Sequence, residues 1–159
     1  ANQLNAVVGD FASALNAARS EAVKLGTPVA LHTSGGQDWG KGWEMFVDSN
    51  GDGLRDTSAN STETLLRTGA QVPASYTLNS GAALANTIWF DASGRLLDAG
   101  GANPVRVFVV CEAGASSTSG TPGARMITLA PSGRVRIAQS NASGQPIDDN
   151  GNAVTTCTP

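Results

Sequence analysis

The stretch NQLNAVVGDFASALNAARSEAVKLGTP, residues 2–28, decides the fold. Leu4, Val7, Val8, Phe11, Ala14, Leu15, Ala18, Ala22 and Leu25 recur at spacings of three and four, which lays one apolar stripe along an amphipathic helix. Gly26 stands where a left-handed C-terminal cap is needed and Pro28 follows it, so the helix spans residues 2–25 and stops there. Alanine dominates the stripe, which suits close packing on a sheet. Ala1 enters the helical pattern with no initiating Met and no cap, as a chain beginning partway along a longer helix would.

Beyond Gly26 the apolar period changes from 3.6 to 2. The strands expected are 27–33, 42–47, 64–67, 75–78, 87–90, 105–111, 125–130 and 134–138, with turn residues between nearly all of them. One long helix followed by hairpins is an α+β pattern: an N-terminal helix packed on an antiparallel β-sheet, read as a meander, with division into two small sheets left open. In residues 105–111, Val105, Val107, Val109 and Cys111 lie on one side and Phe108 and Val110 on the other, so this strand should be central with both faces covered.

The last hairpin can be read to its register. A three-residue loop of Pro131, Ser132 and a left-handed Gly133 pairs Ala130 with Arg134 and puts Leu129, Ile127, Val135 and Ile137 on one face. A four-residue loop would set Arg134 and Arg136 beside Leu129 and Ile127, so the pattern selects the shorter one. Arg134 and Arg136 then share the opposite face, about 6.6 Å apart along the strand.

Composition agrees with this plan. The chain has 159 residues, a single-domain length. Its 19 Gly and 7 Pro oppose a helical bundle, while a hydrophobic share of 40% suffices for a core. The domain divides into the helix end at 1–26, a β-rich head at 27–139 and a polar tail at 140–159. Residues 112–123 form a loop of small residues. No run of about 18 apolar residues is present to span a membrane.

Ten Lys and Arg against 13 Asp and Glu give a net charge of −3, which argues against a surface that is polyanion-binding throughout and leaves room for a local basic patch. Two cysteines and one histidine exclude the common Cys/His zinc sites and make a histidine-based triad hard to assemble. The simplest reading of Cys111 and Cys157 is a disulfide tying the tail to an interior strand, worth about 4 kcal/mol by loop closure and proper to an oxidising compartment.

Four constellations carry candidate chemistry. Gly133-Arg134-Val135-Arg136, with Arg125 as a neighbour, could grip phosphates through guanidinium forks, or could be a solvated strand face. Asp48, Asn50, Asp52 and Asp56 alternate around Gly51 and Gly53 as an EF-hand calcium loop begins, but Ala59 stands where the bidentate Glu belongs, so a turn bonded to its own backbone competes with a weak calcium site. Trp39-Gly-Lys-Gly-Trp43 could stack on bases or sugars or anchor a hairpin on the helix. His32 has no nucleophile near it in sequence, and no residues here make an enzyme or call for a cofactor.

Residues 15–26 (LNAARSEAVKLG), 42–53 (GWEMFVDSNGDG), 65–67 (LLR), 90–95 (FDASGR) and 131–136 (PSGRVR), with the two cysteines, closely resemble the GspH/FimT group of minor type IV pilins and type II secretion pseudopilins. The resemblance implies a pilin-like fold, a long helix laid on antiparallel sheet. It also implies a prepilin leader and apolar half-helix upstream of Ala1, anchoring the protein in the inner membrane of a Gram-negative bacterium. The head would lie in the periplasm and, after assembly, on the surface pilus. Its partners would be other minor pilins or pseudopilins, met through the helix and head loops. Three roles compete: a minor pilin of the complex that primes and caps the type IV pilus, a DNA receptor in natural transformation acting through Gly133, Arg134 and Arg136, and the minor pseudopilin of type II secretion. The two-cysteine tail and the Gly-Arg-Val-Arg motif favour the pilus.

Overall fold

The apolar stripe of the first helix is too narrow to cover eight strands laid side by side, and the chain solves this by folding two sheets around it. The structure, a computed structural model, describes residues 2–33, 35–36, 38–80, 86–96, 106–112, 124–142, 145–148, 150–154 and 156–157. Helix α1 (Asn2–Leu25) ends as expected. Gly26 takes φ 67°, and its amide and that of Thr27 both donate to the Ala22 carbonyl at 2.9 and 3.3 Å, a left-handed glycine cap. Leu4, Val8, Phe11, Ala14, Leu15, Ala18 and Ala22 are buried. Leu25 departs from the expected stripe: it is 46% exposed, because burial of the helix ends with Ala22.

The strands are β1 (Val29–His32), β2 (Trp43–Val47), β3 (Leu65–Gly69), β4 (Tyr76–Ser80), β5 (Thr87–Phe90), β6 (Arg106–Glu112), β7 (Ala124–Leu129) and β8 (Val135–Ile137). They do not form one meander. One antiparallel sheet has the order β3-β2-β1-β5 and the other β4-β6-β7-β8. Eight strands at about 4.8 Å would make a sheet about 38 Å wide, against a helix about 10 Å across, so a flat meander would leave most of its inner face bare. Two four-stranded sheets instead each turn one face to α1.

Val29, Leu31, Met45, Ile88 and Phe90 from the first sheet and Leu78, Phe108, Val110, Ile127 and Leu129 from the second share one core with the helix. Phe11, Trp39 and Phe108 meet edge to face at its centre, with ring centroids 4.9 to 6.0 Å apart. Strand β6 is central, between β4 and β7, with both faces covered: Phe108 and Val110 face the helix, and Val109 and Cys111 join a second cluster with Ala124, Met126, Ala138 and Cys157. Cys111 and Cys157 are bonded, with Cα atoms 6.0 Å apart, which pins the tail to the outer face of the second sheet. The tail is less irregular than its composition suggests, for Ser140 bridges Pro146 and Ile147 bridges Ala153. Val105 and residues 113–123 lie outside the described residues.

The sheets are joined at a seam. Phe90 bridges Leu96, whose amide donates to Pro131 O in the β7–β8 turn at 2.9 Å. Arg19 of α1 reaches it, Nε donating to Gly94 O at 2.9 Å. Among the described residues no helix is long and apolar enough to cross a membrane.

Candidate functional site

The β7–β8 hairpin has the register read from its pattern. Ile127 pairs with Ile137, Thr128 with Arg136 and Leu129 with Val135, and Ala130 N donates to Arg134 O at 2.9 Å. Gly133 has φ 88° and closes the turn by donating to Ala130 O at 2.8 Å. Arg134 and Arg136 are exposed and, with Thr128, Ala130 and Gln139, line a concavity of about 760 Å³. Ile147, Asp148 and Gly151 of the tail form its opposite wall, so the disulfide that holds the tail also shapes this hollow. Arg125 does not join it. Strand alternation puts Arg125 on the face of β7 shared with Ile127 and Leu129, opposite to Thr128, and its guanidinium donates to Ala124 O at 2.8 Å.

The expected calcium loop is built as an anchor. Asp48 is fully buried. It accepts from Gly51 N at 3.0 Å, from Gly53 N at 2.8 Å and from the Trp89 indole Nε1 at 2.5 Å. Ala30, Phe46 and Trp89 are cross-strand neighbours on the face of the first sheet turned from the helix, and Asp48 folds residues 48–53 over that face. Gly51 and Gly53 have φ 72° and 76°, and Gly53 lies so close to the Trp89 ring that a side chain there would meet it.

The other members of the pattern serve the loop's own backbone. Asn50 and Asp52 accept from the Asp52 and Leu54 amides. Asp56 accepts from the Ser58 amide and hydroxyl, which hold its carboxyl below the ordinary value of 3.8. The four residues therefore do not converge as a calcium loop. Carboxylate oxygens of Asp48, Asp52 and Glu63 do lie within 4.8 Å of one another, and these three are the residues that could hold a cation. Glu63, which the alternating pattern missed, is buried and accepts from Asp56 N at 2.6 Å. Its acidity just ahead of β3 gives no local signal of that role.

Trp39 is buried, donates to Ser80 Oγ at 3.2 Å and packs on Phe11 of the helix, so of the two indoles it is the anchor, and it offers no face for stacking. Trp43 is half-buried against Gly69, beside a hollow of about 380 Å³ lined also by Asp10, Arg67 and Val72. His32 is a strand-surface residue between Glu44 and Thr87, its Nδ1 2.9 Å from Thr87 Oγ1. Glu44 pairs with Arg55 at 3.2 Å.

The family model of the type II transport protein GspH matches residues 7–146. Among solved structures, the chain is similar to the type IV minor pilin FimU of Pseudomonas aeruginosa in two crystal forms. One agrees with TM-score 0.68 at 22% identity over 98% of this chain and 96% of that one, and the other with 0.64 at 21% over 96% and 98%. The minor pseudopilin EpsH of the type 2 secretion system of Vibrio cholerae agrees with TM-score 0.55 at 10% identity over 85% of this chain and 95% of that one. At these identities the likeness is one of fold. No curated protein sequence matches the chain significantly.

Proposed function

The chain belongs to the GspH family of minor pilins and pseudopilins, and from that premise we propose that it is a structural, non-enzymatic minor pilin of a type IV pilus. It assembles with other minor pilins in the complex that starts and tips the filament, its head in the periplasm before assembly and at the cell surface after it. The observation that carries the pilus over the secretion reading is the agreement with FimU along nearly the whole of both chains, helix and both sheets, which is fuller than the agreement with EpsH. Deleting the gene tests this. The pilus reading expects few or no surface pili by electron microscopy with secretion intact; loss of secreted enzymes with pili intact overturns it in favour of the pseudopilin role.

A second reading is favoured by one observation, the exposed pair Arg134 and Arg136 on one strand face of an open hollow. Two guanidinium forks so placed suit the phosphates of a nucleic acid, and the protein would then take part in DNA uptake. The net charge of −3 does not decide against it, because Asp148 is the one acid lining that hollow among the described residues and five of the 13 acids sit together elsewhere. Glu44, Asp48, Asp52, Asp56 and Glu63 belong to β2 and the loop that follows it, outside the face that carries the arginines.

A further inference from the structure

We propose that Arg95 is a third phosphate-contacting residue, presented beside Arg134 by a second turn of the same build, so that the basic surface runs across the seam between the sheets. This rests on the nucleic-acid reading of Arg134 and Arg136. Asp91-Ala-Ser-Gly94-Arg95 and Ala130-Pro-Ser-Gly133-Arg134 are one turn made twice. In each, the first amide donates to the fifth carbonyl, Asp91 N to Arg95 O and Ala130 N to Arg134 O, both at 2.9 Å. In each, the glycine amide donates back to the first carbonyl, at 2.9 and 2.8 Å, with φ 83° at Gly94 and 88° at Gly133. The arginine follows the left-handed glycine both times, so Arg95 and Arg134 occupy equivalent positions.

The two turns touch. Leu96 N donates to Pro131 O, and a Cβ added at Gly133 would overlap Gly94 O. Arg19 lies beneath both, bonded to Gly94 O and packed on Gly133, and fixes their relation to the helix. Arg95 and Arg134 are both exposed. Asp91, the acidic neighbour of Arg95, turns its carboxylate to Ser93 N, Ser93 Oγ and Arg95 N at 2.9, 2.6 and 3.0 Å, and among the described residues no ion pair joins it to the Arg95 guanidinium. On the far side of Arg136, Asp148 closes the hollow, so the edge extends toward Arg95 rather than toward the tail.

Fluorescence anisotropy with a labelled DNA duplex, at about 50 and about 200 mM salt, tests this in the wild type, Arg95→Ala, Arg95→Lys and Arg134→Ala/Arg136→Ala. Each lost phosphate contact lowers the salt slope by about 0.9, so the advantage of wild type over Arg95→Ala should shrink about threefold between the two salts. Arg95→Lys should keep most of the slope. Among the described residues the Arg95 side chain makes no hydrogen bond or ion pair, and its charge acts only as the smallest of the influences on Asp91, so thermal unfolding near neutral pH should stay close to wild type and exclude misfolding. Arg95→Ala binding with the affinity and slope of wild type, while the double variant fails to bind, overturns the third contact and leaves the comb standing. A wild type that binds no duplex at either salt, or a double variant that binds as wild type does, overturns the nucleic-acid reading and this inference with it.

Discussion

Replacing Asp48 with alanine removes one buried acceptor from three N–H groups, those of Gly51, Gly53 and the Trp89 indole. A hydrogen bond to a charged group contributes about 1.5–3 kcal/mol net, and a buried donor left without a partner costs about 1–3 kcal/mol. The Gly51 amide sits on an exposed residue, where water can replace the carboxylate; the Gly53 amide is buried and the Trp89 indole lies beneath the loop. Two unrecovered donors put the expected loss for Asp48→Ala at about 3–5 kcal/mol, a large part of the 5–15 kcal/mol typical of a domain. Asp48→Asn keeps one oxygen but turns an NH2 group toward a donor, so about 2 kcal/mol should go. Asp52→Asn, exposed and bonded to loop amides only, should change stability by less than about 1 kcal/mol. Urea unfolding followed by tryptophan fluorescence measures all three, and the Trp89 indole proton should shift in the NMR spectrum of both Asp48 variants. A loss below about 1 kcal/mol for Asp48→Ala, or equal losses at Asp48 and Asp52, would refute the anchor.

Further outcomes follow from other contacts. Arg19→Ala should lose about 1.5 kcal/mol with the Gly94 bond, and Gly133→Ala about 2 kcal/mol or more, since it forces φ 88° on a side chain that meets Gly94 O; thermal melts compare them. Cys111→Ser/Cys157→Ser, which opens a link across 46 positions, should cost up to about 4 kcal/mol in chemical denaturation. Burial pushes the Asp91 carboxyl up, but the Ser93 hydroxyl and the Arg95 and Ser93 amides, with the Arg95 charge, outweigh it and hold it below 3.8. Its contribution is therefore complete above pH 3.8 and lost as pH falls through the lower folded value, so Asp91→Ala should flatten the acid limb of the stability curve. Calcium should leave the melting temperature unchanged, because the Asp48 oxygens already accept three N–H groups; a rise that Asp52→Ala removes would restore the cation reading of Asp48, Asp52 and Glu63.

Local regularities are what the chain displays openly. The helix and its cap, the β7–β8 register and the centrality of β6 each depend on spacing within one or two segments, and they stand as read. The partition into two sheets is different, because which strands neighbour each other depends on how much of the helix surface each can cover. Nothing in residues 75–78 says that β4 leaves β3 for β6. The same limit hid the partners of Asp48: its acceptors' chemistry was visible, but Trp89 lies 41 positions away on β5 and Glu63 across a loop. For Arg125 the sequence offered proximity in number, and strand alternation then sent it to the wrong face.

The seam explains why short motifs far apart in the chain travel together. Arg19, the turn ending at Gly94 and the turn ending at Gly133 are separated by 75 positions between the first two alone, yet they form one joint in which each part needs the others. A β-carbon on Gly133 would displace the Gly94 carbonyl, and with it the acceptor of Arg19. Loss of the Arg19 guanidinium would take that donor from the carbonyl and loosen a side-chain tie from helix to turn. Because the joint binds the first sheet to the second and both to the helix, it also sets where Arg95 and Arg134 stand relative to each other. A basic surface built on it is thus positioned by backbone contacts and one helix side chain, and substitution of its exposed arginines should change what the head binds while leaving how it folds.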